Sequence, residues 1–226
     1  MSIKIQKLEE LRSYIEEMKT IEVLDRRQLR IENDKLEKGF LSIEKMACLL
    51  GNGEIIEREK ILKNGKDGSA GIILPITKEG KTLLVVQPRP NTKSTVGIEF
   101  PAGYIEFAEE PLVAARRELI EETGYIPGKM IGMTNPYYQD QGCMGAYNYN
   151  FLATGCKKKK EQNLDDSEFI RYFECTYKEV LELAELGYIN DVNSLYALKC
   201  SQDFLNKYGR EKILRRRRLC TKNMDL

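Results

Sequence analysis

The chain has 226 residues, enough for one sizeable domain and an appendage. Its 36 Lys and Arg against 35 Asp and Glu leave a net charge of +1, so no global field draws it to nucleic acid or an anionic membrane. No apolar run is long enough to span a bilayer, and MSIKIQKLEELRSYIEEMKT lacks the apolar core and cleavage site of a signal peptide; a soluble cytoplasmic protein is expected.

Residues 3 to about 45 read as a charged helical extension. Ile5, Leu8, Leu11, Ile15 and Met18 recur at three- and four-residue steps, an amphipathic stripe. A weaker stretch runs from Leu24 to Leu36 and ends at Gly39. The stripe suits an arm packed on the domain or its dimer mate; the alternative is a docking helix left exposed for a partner. From Met46 the period changes. Met46 to Leu50 and Glu54 to Leu62, joined by Gly51-Asn52-Gly53, form an expected hairpin. Gly68 to Thr77 and Lys81 to Gln87 come next as apolar strands, and Gly97 to Phe100 leads into a loop.

Pro111 then suits a first helical position and Gly124 a left-handed C-terminal cap, which predicts a helix between them. Leu112, Ala115, Leu119 and Glu122 mark one side as its narrow core stripe. Glu118, Glu121 and Glu122 lie three and four positions apart and share a face, where their charges repel unless a cation joins them. The chain has no histidine, which excludes imidazole catalysis. Cys48, Cys143, Cys156, Cys175, Cys200 and Cys220 are scattered with no CxxC pair, so reduced thiols are expected rather than a zinc cluster. Oxygen ligands remain, and they select Mg²⁺ or Mn²⁺.

Beyond the helix, Lys129 to Thr134, Ala146 to Thr154 and Phe169 to Cys175 read as strands, and Thr176 to Gly187 and Asn193 to Tyr208 as helices. Tyr147, Tyr149 and Phe151 alternate with Asn148, Asn150 and Leu152, as on a sheet with two unlike faces. The pattern predicts an α/β sandwich, two helical layers about a mixed sheet. Three segments result: a helical extension over 1–45, an α/β domain over 46–208 that includes the hairpin, and a basic tail over 209–226. The tail's run Arg215 to Arg218 could meet nucleic acid, but in a near-neutral chain a solvated tail is the plainer expectation.

The stretch GYIEFAEEPLVAARRELIEETGY resembles the Nudix box: a Gly, five residues, a Glu, seven residues, Arg-Glu, an aliphatic, any residue, Glu-Glu, any residue, Gly and a bulky residue. These positions are Gly103, Glu109, Arg117, Glu118, Leu119, Glu121, Glu122, Gly124 and Tyr125, with Tyr125 replacing the usual aliphatic. Gln87-Pro88-Arg89, Ile98 to Gly103, Asp140-Gln141-Gly142, Glu168, Asn190-Asp191-Val192 and the early hairpin look like the ADP-ribose (ADP-sugar) pyrophosphatase branch. Two positions depart from that branch: Gln141 stands where it usually has a proline, and there is no tryptophan to stack an adenine.

The resemblance implies the Nudix fold and a Mg-dependent hydrolysis of a pyrophosphate linkage, with ADP-ribose cleaved to AMP and ribose 5-phosphate. Another nucleotide substrate, or a non-catalytic sensor, is the alternative. Glu118, Glu122 and the carbonyl of Ala102 would hold Mg²⁺ (or Mn²⁺), and Glu121 would bridge or orient. Arg117 would pair with a box glutamate, and Glu109 would support it. Glu168 matches the loop position from which this branch is thought to activate water; a solvated loop glutamate is the other reading. Arg89 matches a phosphate-contacting arginine, or else a surface turn, and Glu99, Gly103 and Asp140 complete the expected substrate site. A homodimer is implied, with the hairpin helping to form it.

Overall fold

The computed structural model describes residues 5–19, 31, 32, 35, 36 and 40–208. The arginine run, Gly39 and most of the stretch from Leu24 lie outside them.

The first helix, α1 (Ile5–Met18), lays its stripe on the domain itself. Leu11 and Met18 are fully buried, and Leu8 and Ile15 pack beside them. Two ion pairs fix its flanks, Lys7 Nζ to Glu179 at 3.3 Å and Arg171 to Glu17 at 2.9 Å. The stripe is therefore not left exposed for a partner. Past α1 the chain departs from the helical expectation. Two short antiparallel pieces, β1 (Ile31–Glu32) and β2 (Lys35–Leu36), pair with each other. The hairpin is β3 (Leu41–Leu49) with β4 (Ile55–Lys63), so residues 41–45 are strand. Leu41 pairs with Lys63 and Ile43 with Ile61. Partners some twenty positions away decide the strand there, which local periodicity cannot register.

The central sheet runs β10 (Lys129–Gly132), β12 (Tyr147–Lys158), β5 (Ala70–Thr77), β6 (Lys81–Pro88), β13 (Arg171–Thr176). Only β12 and β5 are parallel in this order, with Phe151 opposite Ile73. Shorter strands extend its edges: β7 (Val96–Glu99) on β6, β8 (Ala102–Tyr104) on β5, and β9 (Tyr125–Ile126) and β11 (Tyr137–Tyr138) on β12.

The strand period of two sorts the core into two layers. Ile72, Leu74, Leu84, Val86 and Leu152 face α1, α3 (Tyr177–Glu185) and α4 (Val192–Tyr208), against Leu11, Val180, Leu183 and Leu198. Ile73, Leu83, Phe151 and Ala153 face α2 (Pro111–Thr123) and meet Ala115 and Leu119. Each fully buried aliphatic contributes roughly 1.5–3 kcal/mol. The result is the expected mixed-sheet α/β/α sandwich, with α2 the helix that covers the second face among the described residues. One detail of α2 differs: Leu112 is exposed, and Ala114 is buried instead. The helix thus meets the sheet through small residues, and Gly71 on β5 passes so close that an added Cβ would sit 3.0 Å from Ala115 Cβ.

Candidate active site

Two local features set α2 in place. Pro111 occupies its first position, and Gly124 ends it in the left-handed conformation at φ 70°, donating its N–H to the Ile120 carbonyl at 2.7 Å. The loop from β7 to β8 crosses over the acidic face of this helix. It is pinned at three successive residues. Phe100 N–H donates to Ser194 Oγ (2.9 Å), the Pro101 carbonyl accepts from Ile73 (2.9 Å), and Ala102 N–H donates to Glu122 Oε2 (3.1 Å). Ser194 is itself held by Asp191, whose Oδ2 accepts the Ser194 N–H at 2.8 Å at the start of α4.

Gly103 is next in the chain, and its missing side chain is a geometric requirement. A Cβ there would lie 1.9 Å from Glu118 Cδ. The Glu118 carboxylate occupies that space.

Glu122 is 3% exposed, and burial raises its carboxyl well above the ordinary range; the Glu118 charge adds to this and the Ala102 amide opposes it. Burial likewise pushes Glu118 up to about 7 against the pull of Arg117. Arg117 gathers the remaining acids. Its guanidinium forks onto Glu109 (3.1 and 3.0 Å) and reaches Glu118 (2.6 Å), Glu121 (3.0 Å) and the Tyr104 carbonyl (3.1 Å). Glu109, lowered by Arg117, also accepts the Glu106 N–H at 3.0 Å and so ties the loop ahead of α2 to the same cluster. Glu109 is thus in direct contact with Arg117.

Glu168 lies in the exposed loop between β12 and β13. Its carboxylate accepts the Asp165 N–H at 3.1 Å, and its charge adds to the burial that raises Glu118 and Glu122. Arg89 makes a bidentate pair with Glu99 at 2.7 and 2.6 Å. Gly97 leaves room for it, since a Cβ there would sit 1.9 Å from Glu99 Oε1. The Glu122 and Asp191 charges also act on Arg89, so this pair flanks the acidic face. Asp140 stands apart. It closes a turn with Gly142 N–H (2.9 Å) and the Cys143 thiol (3.0 Å), and that turn is tied to β4 through Ile61 N–H on the Cys143 carbonyl. None of these contacts joins it to the box. Five cysteines among the described residues are free thiols.

Ser194, and Gln162 whose Nε2 donates to the Glu122 carbonyl, carry no sequence signal for the site, because both bond backbone groups brought together only by the fold. Among the described residues no three metal-ligating side chains form a ready cage, since Arg117 holds Glu118 and Glu121 while Glu122 bonds the Ala102 amide. The donor chemistry nevertheless fits a hard divalent cation. Burial raises both Glu118 and Glu122, the Glu118 charge raises Glu122 further, and the nearby donors are oxygens.

Residues 66–197 match the NUDIX domain family. The chain is 35% identical over 154 residues to an ADP-ribose pyrophosphatase of Bacillus subtilis (strain 168), covering 68% of this chain and 80% of that one. It is 30% identical over 190 residues to a methanol dehydrogenase activator of Bacillus methanolicus, covering 82% and 91%. A solved structure described as an ADP compounds hydrolase superposes with a TM-score of 0.66 at 18% identity, over 77% of this chain and 91% of the other, a likeness of fold. The box runs from Gly103 on β8 through α2 to Tyr125 on β9, and the chain belongs to the Nudix family as a hydrolase.

Proposed function

We propose that the enzyme hydrolyses ADP-ribose to AMP and ribose 5-phosphate in the presence of Mg²⁺. The observation that carries this is the acidic face of α2 set against the loop backbone, with Glu122 bonded to the Ala102 amide and the Glu118 carboxylate filling the space beside Gly103. The Bacillus subtilis relative named as an ADP-ribose pyrophosphatase supports the choice of substrate.

Glu118, Glu122 and the Ala102 carbonyl would hold Mg²⁺, which when bound neutralises phosphate oxygens and acidifies water. Arg117 keeps Glu118 and Glu121 oriented. Glu168 accepts a proton from the attacking water as its oxygen bonds to phosphorus. The bond from that phosphorus to the bridging oxygen breaks, and the two monophosphates separate. Arg89 would exchange part of its bond to Glu99 for a substrate phosphate, to which its fork is suited. A screen of nucleoside diphosphate derivatives, triphosphates and capped RNA with Mg²⁺ tests the substrate. AMP with ribose 5-phosphate from ADP-ribose, at the highest kcat/KM of the set, is expected. Preference for a triphosphate or a cap would refute the assignment.

The working form we propose is a homodimer. The hairpin β3–β4 forms its own two-stranded sheet, and a lone ribbon is marginal in water. Leu49 and Ile55 at its tip are 74% and 72% exposed, and Leu41 and Ile43 add to the same uncovered strands. A second copy of the chain would cover them. Light scattering should give twice the chain mass for the wild type and the single chain mass for Leu49→Glu with Ile55→Glu. A monomeric wild type would contradict the dimer.

A further inference from the structure

The last turn of a helix leaves carbonyls without intrahelical partners. In α2 the segment leaving β12 accepts that role for four successive residues. Asn163 N–H donates to the Glu121 carbonyl (2.9 Å), Gln162 Nε2 to that of Glu122 (2.6 Å), and Lys158 Nζ to that of Thr123 (3.0 Å). The Gly124 carbonyl accepts from Lys159 and Lys160 N–H at 3.1 and 3.2 Å. The helix with the site glutamates and the stem of the Glu168 loop are therefore one clamped unit.

Within this clamp Gln162 has a particular place. Its amide nitrogen also donates to the Ile170 carbonyl at 3.2 Å. One NH₂ group thus joins three points: the near stem of the loop, the far stem next to β13, and the backbone of Glu122. The loop 163–169, with Glu168 in it, is closed by that side chain. We propose that Gln162 is a positioning residue that fixes the distance between Glu168 and the acids of α2. The inference rests on the proposed role of Glu168. No other single side chain in the clamp bonds both the helix and the far stem among the described residues.

Gln162→Leu keeps the shape and removes both donations. Its expected effect is a fall in kcat of about tenfold, in keeping with the sensitivity of catalysis to small misplacements, with KM within a factor of about two. In a Glu168→Gln background the same change should have no further effect, because nothing remains to be positioned. Equal fold-losses in both backgrounds would show a general structural role and overturn the proposal, as would an unchanged rate in Gln162→Leu. If Glu168→Gln alone retains the full rate, the role of Glu168 fails and the proposal falls with it. Hydrogen exchange gives a readout independent of turnover. The Asn163 and Glu168 amides, bonded to Glu121 and Asp165, should exchange faster in Gln162→Leu than in the wild type. Unchanged exchange would overturn the proposal even where no substrate is turned over.

Discussion

Glu122→Gln should lower turnover by about a thousandfold or more, roughly 4 kcal/mol of transition-state stabilisation, while the protein stays folded. The side chain is 3% exposed, and its Oε2 accepts the Ala102 amide. A glutamine carbonyl retains that bond and the volume. It removes a carboxyl that burial and the Glu118 charge raise well above its ordinary range, and a carboxyl so raised costs folded-state stability at any pH above its unfolded value. The metal-free variant should therefore melt at the same temperature as the wild type or higher. The opposite signs of the two effects are informative: a residue kept for packing would lose stability and rate together. Steady-state kinetics with a thermal melt of the metal-free protein checks both, and a variant with wild-type kcat would remove Glu122 from the chemistry.

Gly103→Ala should cost about a hundredfold in kcat/KM, with little change in stability. An alanine Cβ would fall 1.9 Å from Glu118 Cδ and 2.2 Å from its Oε1. Those atoms end a flexible side chain, so the carboxylate can swing away and the fold survives. Gly103 is not among the residues with positive φ, and its backbone accepts alanine without strain. The displaced group is the one that faces Glu122 and Arg117, so the damage is confined to the site. A melting temperature within a few degrees of wild type and a collapsed rate are expected together. Full activity would mean that Glu118 need not occupy this space.

Much of this was legible in local chemistry. Pro111 and Gly124 bracket α2 as residue preferences require, and the three- and four-residue spacing of the glutamates placed them on one face. The apolar runs of β5 and β6 marked a buried sheet. The features that were not legible depended on partners far along the chain. Residues 41–45 are strand because β4 pairs with them. The strands β8, β9 and β11 are two or three residues long, too short for any period to show. Asn148 and Asn150 mark one of two unlike faces in the sequence, but the alternation does not say that this face is buried under α4, as both are. Asn148 is satisfied there by the Ala70 N–H and by Asn193. Asp140 lay in a stretch that matched the branch, but its geometry turns it toward the hairpin. Gln162 and Ser194 had no pattern to reveal them, since a side chain that bonds backbone can come from any polar residue the fold delivers.

The central claim is that the carboxylates of α2 act through a divalent cation on a pyrophosphate linkage. Its most direct test is the initial rate of AMP release from ADP-ribose as Mg²⁺ is titrated into EDTA-treated enzyme. The rate should rise from near zero, saturate with Mg²⁺, and fall to near zero again on excess EDTA, with ribose 5-phosphate formed in equal amount. Release of AMP at the same rate in EDTA as in Mg²⁺ would contradict the account.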